Sequence, residues 1–361
     1  MEDKNSDFDT LKIILWLILF LCFGIIIITC SPAPPEHIMT VNGPVEISQA
    51  GTILEHEHIL VDFIGADSTG YHRWNRNEVR EKLTPLVAEA GRKGVTTIVE
   101  CTPAYLGRDP LLLKELSERT GMNFVTNTGY YGVRNNLYLP ESFYALDAPR
   151  LAAMWTDEFV NGIEDTGIRP GFIKISVDPS EPLSDDHKKL VVAAALTHLE
   201  TGLTIASHTG PDGPAFEQLS IIRENGVDPS AFIWVHAQGG TTEGNIEAAR
   251  AGAWISLDNI HTPAEPGDTS HGSPEWYAGR IDELRRNGFL DQVLISHDSG
   301  WYDPALPEGG EINGFTAVFD YLIPALKARD FSDREIEQLL VTNPVNAFKI
   351  RVRELSRKPD L

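Results

Sequence analysis

Five short stretches carry side chains able to share one or two metal ions. His56 and His58 stand two apart in Leu54-Glu55-His56-Glu57-His58. Side chains alternate faces along a strand, so both imidazoles point the same way. Two neutral imidazoles at that spacing can hold a divalent ion together, although a pair of surface histidines has the same spacing. Lys174 sits in Gly171-Phe172-Ile173-Lys174-Ile175-Ser176-Val177. If Ile173, Ile175 and Val177 face helices, Lys174 faces the opposite, enclosed side, where an ammonium is costly unless paired or neutral. Three readings stay open for it. It can reach solvent at the strand end, form a Schiff base, or add carbon dioxide to give a carbamate that bridges two metals. The remaining stretches are Ser207-His208, Val235-His236 and Ser296-His297-Asp298, each ending an apolar run of strand length.

The elements that must carry these residues repeat. Strand-like runs are expected at 52–61, 95–101, 123–128, 171–177, 203–207, 231–235, 253–257 and 292–296. Helical patterns such as 78–92 and 185–200 lie between them, and Gly94, Gly121, Gly202, Gly226, Gly252 and Gly288 stop most helices. Eight β units, each followed by α, predict a (β/α)₈ TIM barrel. A doubly wound open sheet is the alternative, but no G-x-G-x-x-G opens a helix. Active sites of barrels lie at the C-terminal mouth of the strands, where all the residues above fall. Four histidines, an enclosed lysine and an aspartate at one mouth point to metal binding rather than packing.

Ahead of the barrel, Asn42-Gly43 marks a short β-hairpin over 40–47. Residues 13–28 form an apolar run without charge, ending near Cys30 and the linker Ser31-Pro32-Ala33-Pro34-Pro35. That run lies between the length of a signal core and that of a membrane span. It predicts export, with either a bacterial lipoprotein signal lipidated at Cys30 or an uncleaved helical anchor, and attachment to the membrane in both cases. The expected domains are 1–30 signal or anchor, 31–45 linker and start of the hairpin, 46–352 barrel and 353–361 tail.

Composition narrows the partners. Among 361 residues there are 30 basic and 52 acidic side chains, a net charge of −22, which repels phosphate backbones and argues against nucleic acid. The three cysteines, Cys22, Cys30 and Cys101, exclude a disulfide framework and a cysteine-rich zinc site. Cys101 reads as a packed small hydrophobe. His72, His187 and His198 read as solvated, and His297 as structural. Arg73, Arg76 and Arg134 are the loop cations that an anionic substrate would need.

Taken together, His56-x-His58, Lys174, His208, His236 and Asp298, in that order, resemble the phosphotriesterase-like family of the amidohydrolase superfamily. Thr97-Ile98-Val99-Glu100, Gly107-Arg108-Asp109 and Thr128-Gly129-Tyr130-Tyr131 extend the resemblance over about 46–352. It implies a binuclear centre. His56, His58 and Asp298 would hold the more buried ion and His208 and His236 the more exposed one, with carbamylated Lys174 and a hydroxide bridging them. Zinc is the expected ion, with manganese and cobalt as alternatives. The pair of ions would activate water and polarise the substrate, and Asp298 would serve as catalytic base. A homodimer is also implied by the resemblance.

Two positions depart from the phosphotriesterase pattern. Asn259 stands where phosphotriesterases carry histidine and the lactonase branch arginine, and His236-Ala237-Gln238-Gly239-Gly240 lacks an acidic proton relay. Tyr131 matches a tyrosine that lactonases place beside the metals, where a phenol can orient a carbonyl. The sequence therefore predicts a small-molecule hydrolase acting on a lactone or carboxylic ester, with Tyr131, Asn259, Trp301 and Tyr302 as substrate contacts. His261, Glu265, His271 and Trp276 enrich the same loops. The alternatives are a phosphoester or phosphotriester hydrolase, an aldolase using Lys174, and an exported binding protein without catalysis.

Overall fold

The structure, a computed structural model, describes residues 36–355. The expected signal or anchor, the linker to Pro35 and the end of the tail lie outside the described residues. Among the described residues no helix is long and apolar enough to cross a membrane.

Two strands, β1 (His37–Thr40) and β2 (Gly43–Glu46), pair antiparallel around Val41-Asn42. The following strands are all parallel: β3 (Thr52–Leu60), β4 (Val95–Glu100), β5 (Asn123–Val125) continued by β6 (Asn127–Thr128), β7 (Phe172–Ser176), β8 (Thr204–His208), β9 (Phe232–Val235), β10 (Trp254–Leu257) and β11 (Val293–Ile295). The chain after β11 reaches β12 (Gly300–Tyr302), which pairs with β3. Asp298 N–H donates to His56 O and His58 N–H to Ser299 O, joining the last strand segment to the first. This α/β fold with parallel sheets matches the layout of a (β/α)₈ barrel.

Helices α1 (Arg76–Arg92), α2 (Pro110–Thr120), α3 (Ala148–Asn161), α4 (Asp185–Thr201), α5 (Asp212–Glu224), α6 (Thr242–Arg250) and α7 (Pro274–Arg286) alternate with the strands. Asp109, Asp147, Ser184, Thr241 and Ser273 cap α2, α3, α4, α6 and α7 by accepting backbone N–H groups of the first turn. Outward strand residues such as Ile173, Ile175, Ile205 and Trp234 pack with helix residues such as Leu190, Leu219 and Ile281. Inward residues Ile53, Val99, Val125, Phe172, Ala206, Ile233 and Leu294 fill the interior, and Phe348 closes the bottom against Phe172 at 5.5 Å. The apolar plug leaves the polar ends of the strands to the opposite mouth.

Local backbone devices aim those ends. The register of β3 on β4 shifts between Leu54 and Glu57, so Ile53 joins the interior although the inward histidines have even numbers. A Cβ at Gly129 would lie 2.0 Å from Lys174 O, and one at Gly300 1.7 Å from His58 O. Only glycine lets these loops pass so close to the strands bearing the lysine and the histidine.

Two residues expected to be solvated are buried on α4. His187 is 2% exposed, with Nε2 3.0 Å from Gly132 O, and His198 is wholly enclosed. Nδ1 of His198 donates to Leu203 O, and Nε2 accepts from Arg353 N–H. The helix lies beneath neighbouring segments on these faces, so each ring needs two internal partners.

Candidate metal centre

His56 and His58 from β3, Lys174 from β7, His208 from β8, His236 after β9 and Asp298 after β11 converge at one mouth. Asp298 is the hub. Its Oδ1 lies 3.0 Å from His58 Nε2 and 3.6 Å from His56 Nε2, and its Oδ2 lies 3.9 Å from His236 Nε2. Lys174 Nζ is 3.2 Å from His56 Nε2. The His208 and His236 rings meet edge to face at 4.4 Å. His236 (φ 59°) and Asp298 (φ 53°) both adopt the left-handed backbone, at a cost of roughly 1–2 kcal/mol each. Such strain persists where surrounding structure enforces it, as at functional sites.

Each histidine is held from behind. Asp258 Oδ2 accepts from His56 Nδ1 at 2.8 Å, and Asp258 Oδ1 from His236 Nδ1 at 2.7 Å. The same carboxylate also accepts from Ser256 Oγ, Gln238 Nε2 and His236 N–H. His58 Nδ1 pairs with Thr102 Oγ1 at 2.8 Å. With Nδ1 so engaged, the Nε2 atoms of His56, His58 and His236 are left for the shared space. This is the outer-shell arrangement that orients metal-binding imidazoles. His208 Nδ1 meets the Tyr131 hydroxyl at 2.8 Å, which sets the phenol in the wall of the site.

Charge follows this geometry. Burial pushes His56 down to about 4, helped by Lys174 and opposed by Asp258. Burial, His236 and Lys174 push His208 well below its usual value. Burial opposes ionisation of Asp298, but His56, His58 and His236 draw its carboxyl down to about 2. Asp258, likewise against its burial, is held ionised by His236 and His56. Behind it, burial and the Asp258 charge push the Glu55 carboxyl well above the usual carboxylate range, with Ser256 Oγ lying between the two.

The donor set fits divalent ions. Asp298 Oδ1 is buried without a hydrogen-bond partner and points at two imidazole nitrogens. His56, His58 and Asp298 form a group whose ligand atoms lie within 4.8 Å of one another, and so do His56, His236 and Asp258. Of the two, the first group is the candidate ligand set, because five donors already turned toward Asp258 leave its oxygens little to offer an ion. Lys174 is 1% exposed, and among the described residues no carboxylate lies within 4 Å of its Nζ. A buried ammonium facing an imidazole is unfavourable, whereas an anionic carbamate there would suit two cations.

The weaker substrate candidates divide. Trp301 lies beside the site, its ring 5.0 Å from His58 and its Nε1 donating to Asp298 O. Asn259 is exposed and accepts from His261 Nε2 at 2.8 Å. Tyr302 is not at the mouth. It is 4% exposed within the layer between strands and helices, and its hydroxyl donates to Glu78 of α1. The left-handed backbone at Trp301 (φ 73°) turns the indole in, and the alternation then sends Tyr302 outward. Arg73 and Arg76 are committed to Asp62 and Asp109. His297 lies outside the ligand group, between Glu57 and Val318 N–H. Cys101 is buried in the interior.

Sequence reasoning missed Asp258, Thr102 and Glu57 as supports. Glu57 accepts from Ser296 Oγ and from the N–H groups of His297 and Ser299, fixing the turn that presents Asp298. One signal was available: Asp258 follows the apolar run of β10, as the histidines follow theirs.

The chain is similar to known proteins over most of its length. Residues 36–348 match the phosphotriesterase family. The chain is similar to the phosphotriesterase homology protein of Escherichia coli (strain K12), 27% identical over 83% of this chain and 98% of that one. It is similar to the aryldialkylphosphatase of Saccharolobus solfataricus, 29% identical over 84% and 96% of the two chains. It is also similar to the N-acetyltaurine hydrolase of Dictyostelium discoideum, 31% identical over 72% and 70%.

Proposed function

The chain belongs to the phosphotriesterase family, and from that premise we propose that it is a binuclear metal-dependent hydrolase of a carboxylic ester, preferentially a lactone. The observation that carries the reading is the buried, unpartnered Asp298 Oδ1 among imidazoles already oriented by Asp258 and Thr102. His56, His58 and Asp298 would hold one ion, His208 and His236 the second, and Lys174, as the carbamate formed with carbon dioxide, both. Zinc is the proposed ion, with manganese or cobalt able to replace it. When bound, two such ions lower the pKa of water and polarise a substrate carbonyl.

The protein's own groups supply the rest. Asp298, ionised even at low pH, accepts the proton released as water adds to the carbonyl. Tyr131 stays protonated, because burial and the Asp298 charge raise its pKa, so its hydroxyl can donate to the carbonyl oxygen and orient it. Trp301 walls one side of the substrate space. A carbonyl centre is favoured over phosphorus because Gln238 and Asn259 stand where an acidic relay and a histidine would be expected. A relative named for hydrolysis of an N-acetyl compound supports acyl chemistry. The relative named aryldialkylphosphatase supports phosphotriester hydrolysis as the second reading. For the N-terminus we propose export and membrane attachment through 13–30, supported by the uncharged apolar run and Cys30.

The test is proton release by the zinc-loaded protein on γ- and δ-lactones, phenyl esters, an N-acetyl amide and one phosphotriester. Lactone or ester turnover well above the phosphotriester is expected. Turnover of the phosphotriester alone would overturn the acyl reading.

A further inference from the structure

Arg134 is an exposed cation at an aromatic wall of the candidate site. Among the described residues, no carboxylate lies within 4 Å of its guanidinium, whereas Arg73, Arg76 and Arg108 are each paired to one. Its guanidinium lies 5.1 Å above the Phe63 ring, and its Nη1 donates to the Tyr138 hydroxyl at 3.1 Å. Phe63 stacks on Trp301 at 5.4 Å, and Trp301 touches His58. Tyr138 meets Tyr131 at 5.8 Å, and Tyr131 touches His208. From Arg134, two aromatic side chains lead to the buried ligands and two others to the exposed ones.

The backbone is built to hold this residue in place. Arg134, Asn135 and Asn136 have φ of 57°, 54° and 64°, a left-handed run that side chains bearing a Cβ rarely adopt. The carboxylate of Asp178 accepts the N–H groups of both Arg134 and Asn135 and fixes the turn. In a chain of net charge −22, an arginine with spare donors beside the mouth calls for an anion.

We infer that Arg134 is a specificity-determining residue that binds a carboxylate or sulfonate at the far end of an acyl substrate. The aromatic wall covers the apolar chain between that anion and the scissile carbonyl. The inference rests on the proposed acyl hydrolysis and names its substrate class: acyl compounds with an anionic tail. Carboxylate and sulfonate offer the same oxygen fork to a guanidinium, so the test includes both.

The experiment uses the zinc-loaded full chain and straight-chain phenyl esters ending in carboxylate, sulfonate or neutral carboxamide. A KM at least roughly tenfold lower for an anionic ester than for the carboxamide is expected. Arg134→Ala and Arg134→Gln should raise that KM by roughly ten- to hundredfold, with kcat within about threefold. Arg134→Lys should recover part of the loss, and the carboxamide ester should be unaffected. An equal loss on charged and neutral esters, or no preference in the wild type, overturns the inference. If none of these esters is hydrolysed, the lactone and amide panel tests the hydrolase reading separately, and calorimetric titration with adipate decides on Arg134. Adipate binding lost in both Arg134→Ala and Arg134→Gln supports the role, while unchanged binding, or none to the wild type, refutes it.

Discussion

Asp258 should control metal affinity without touching an ion. Each of its oxygens holds one histidine, Oδ2 taking His56 Nδ1 and Oδ1 taking His236 Nδ1. Ser256, Gln238 and the His236 N–H donate to the same two atoms. Asp258→Asn keeps the shape but turns one oxygen into a donor. Whichever way the amide rotates, its nitrogen faces a donor, and one histidine loses its acceptor. Loss of such an outer-shell carboxylate costs about 10- to 100-fold in metal affinity, or about 1.4–2.7 kcal/mol. Asp258→Asn should therefore weaken one zinc ion by that factor, and Asp258→Ala should weaken both. Competition against a chelator of known affinity reads the two steps separately, and thermal unfolding of the metal-free variants controls for folding. Wild-type affinity for both ions in Asp258→Asn, within about threefold, would refute the reasoning.

Three further outcomes are expected. Asp298→Asn takes away the proposed proton acceptor and should lower kcat by roughly 10²–10⁴-fold in steady-state assays of the zinc-loaded protein; near-normal turnover would rule out that role. His198 is held neutral by burial, its pKa down at about 4 against 6.5 when free. The unfolded chain therefore takes up that proton first, so the stability His198 confers is complete above pH 6.5 and lost as pH falls toward 4, about 3 kcal/mol in all. Denaturant titrations should show that loss in the wild type and not in His198→Gln, and parallel pH profiles would contradict it. Cys101 is buried and its thiol pKa is raised by burial, so alkylation mapped by mass spectrometry should label it only after unfolding.

The strand pattern was legible because apolar runs of strand length alternate with glycine-stopped helices, and because β7 presents Lys174 between outward isoleucines. Three ligand candidates were legible for the same reason: His208, His236 and Asp298 end apolar runs, and the barrel gathers such ends at one mouth. What was hidden depends on contacts between distant segments. Asp258 becomes a support only once β10 stands beside β9 and close to β3, and Glu57 only once the chain after β11 closes on β3. His187 and His198 sit on a helix whose polar-looking positions are covered by Gly132 and Arg353, residues far away in sequence. Tyr302 departs from the expected substrate contact because it lies in a short strand beside Trp301, whose left-handed backbone turns the indole in and leaves Tyr302 facing the helix layer.

The most direct test of the binuclear centre is the number of divalent ions per chain after saturation with zinc and bicarbonate and removal of loose metal. About two ions in the wild type, and no more than one in Lys174→Met, is the expected result, with the second ion dependent on bicarbonate. No retained ion, or an equal content in both proteins, would contradict a bridged pair held by Lys174.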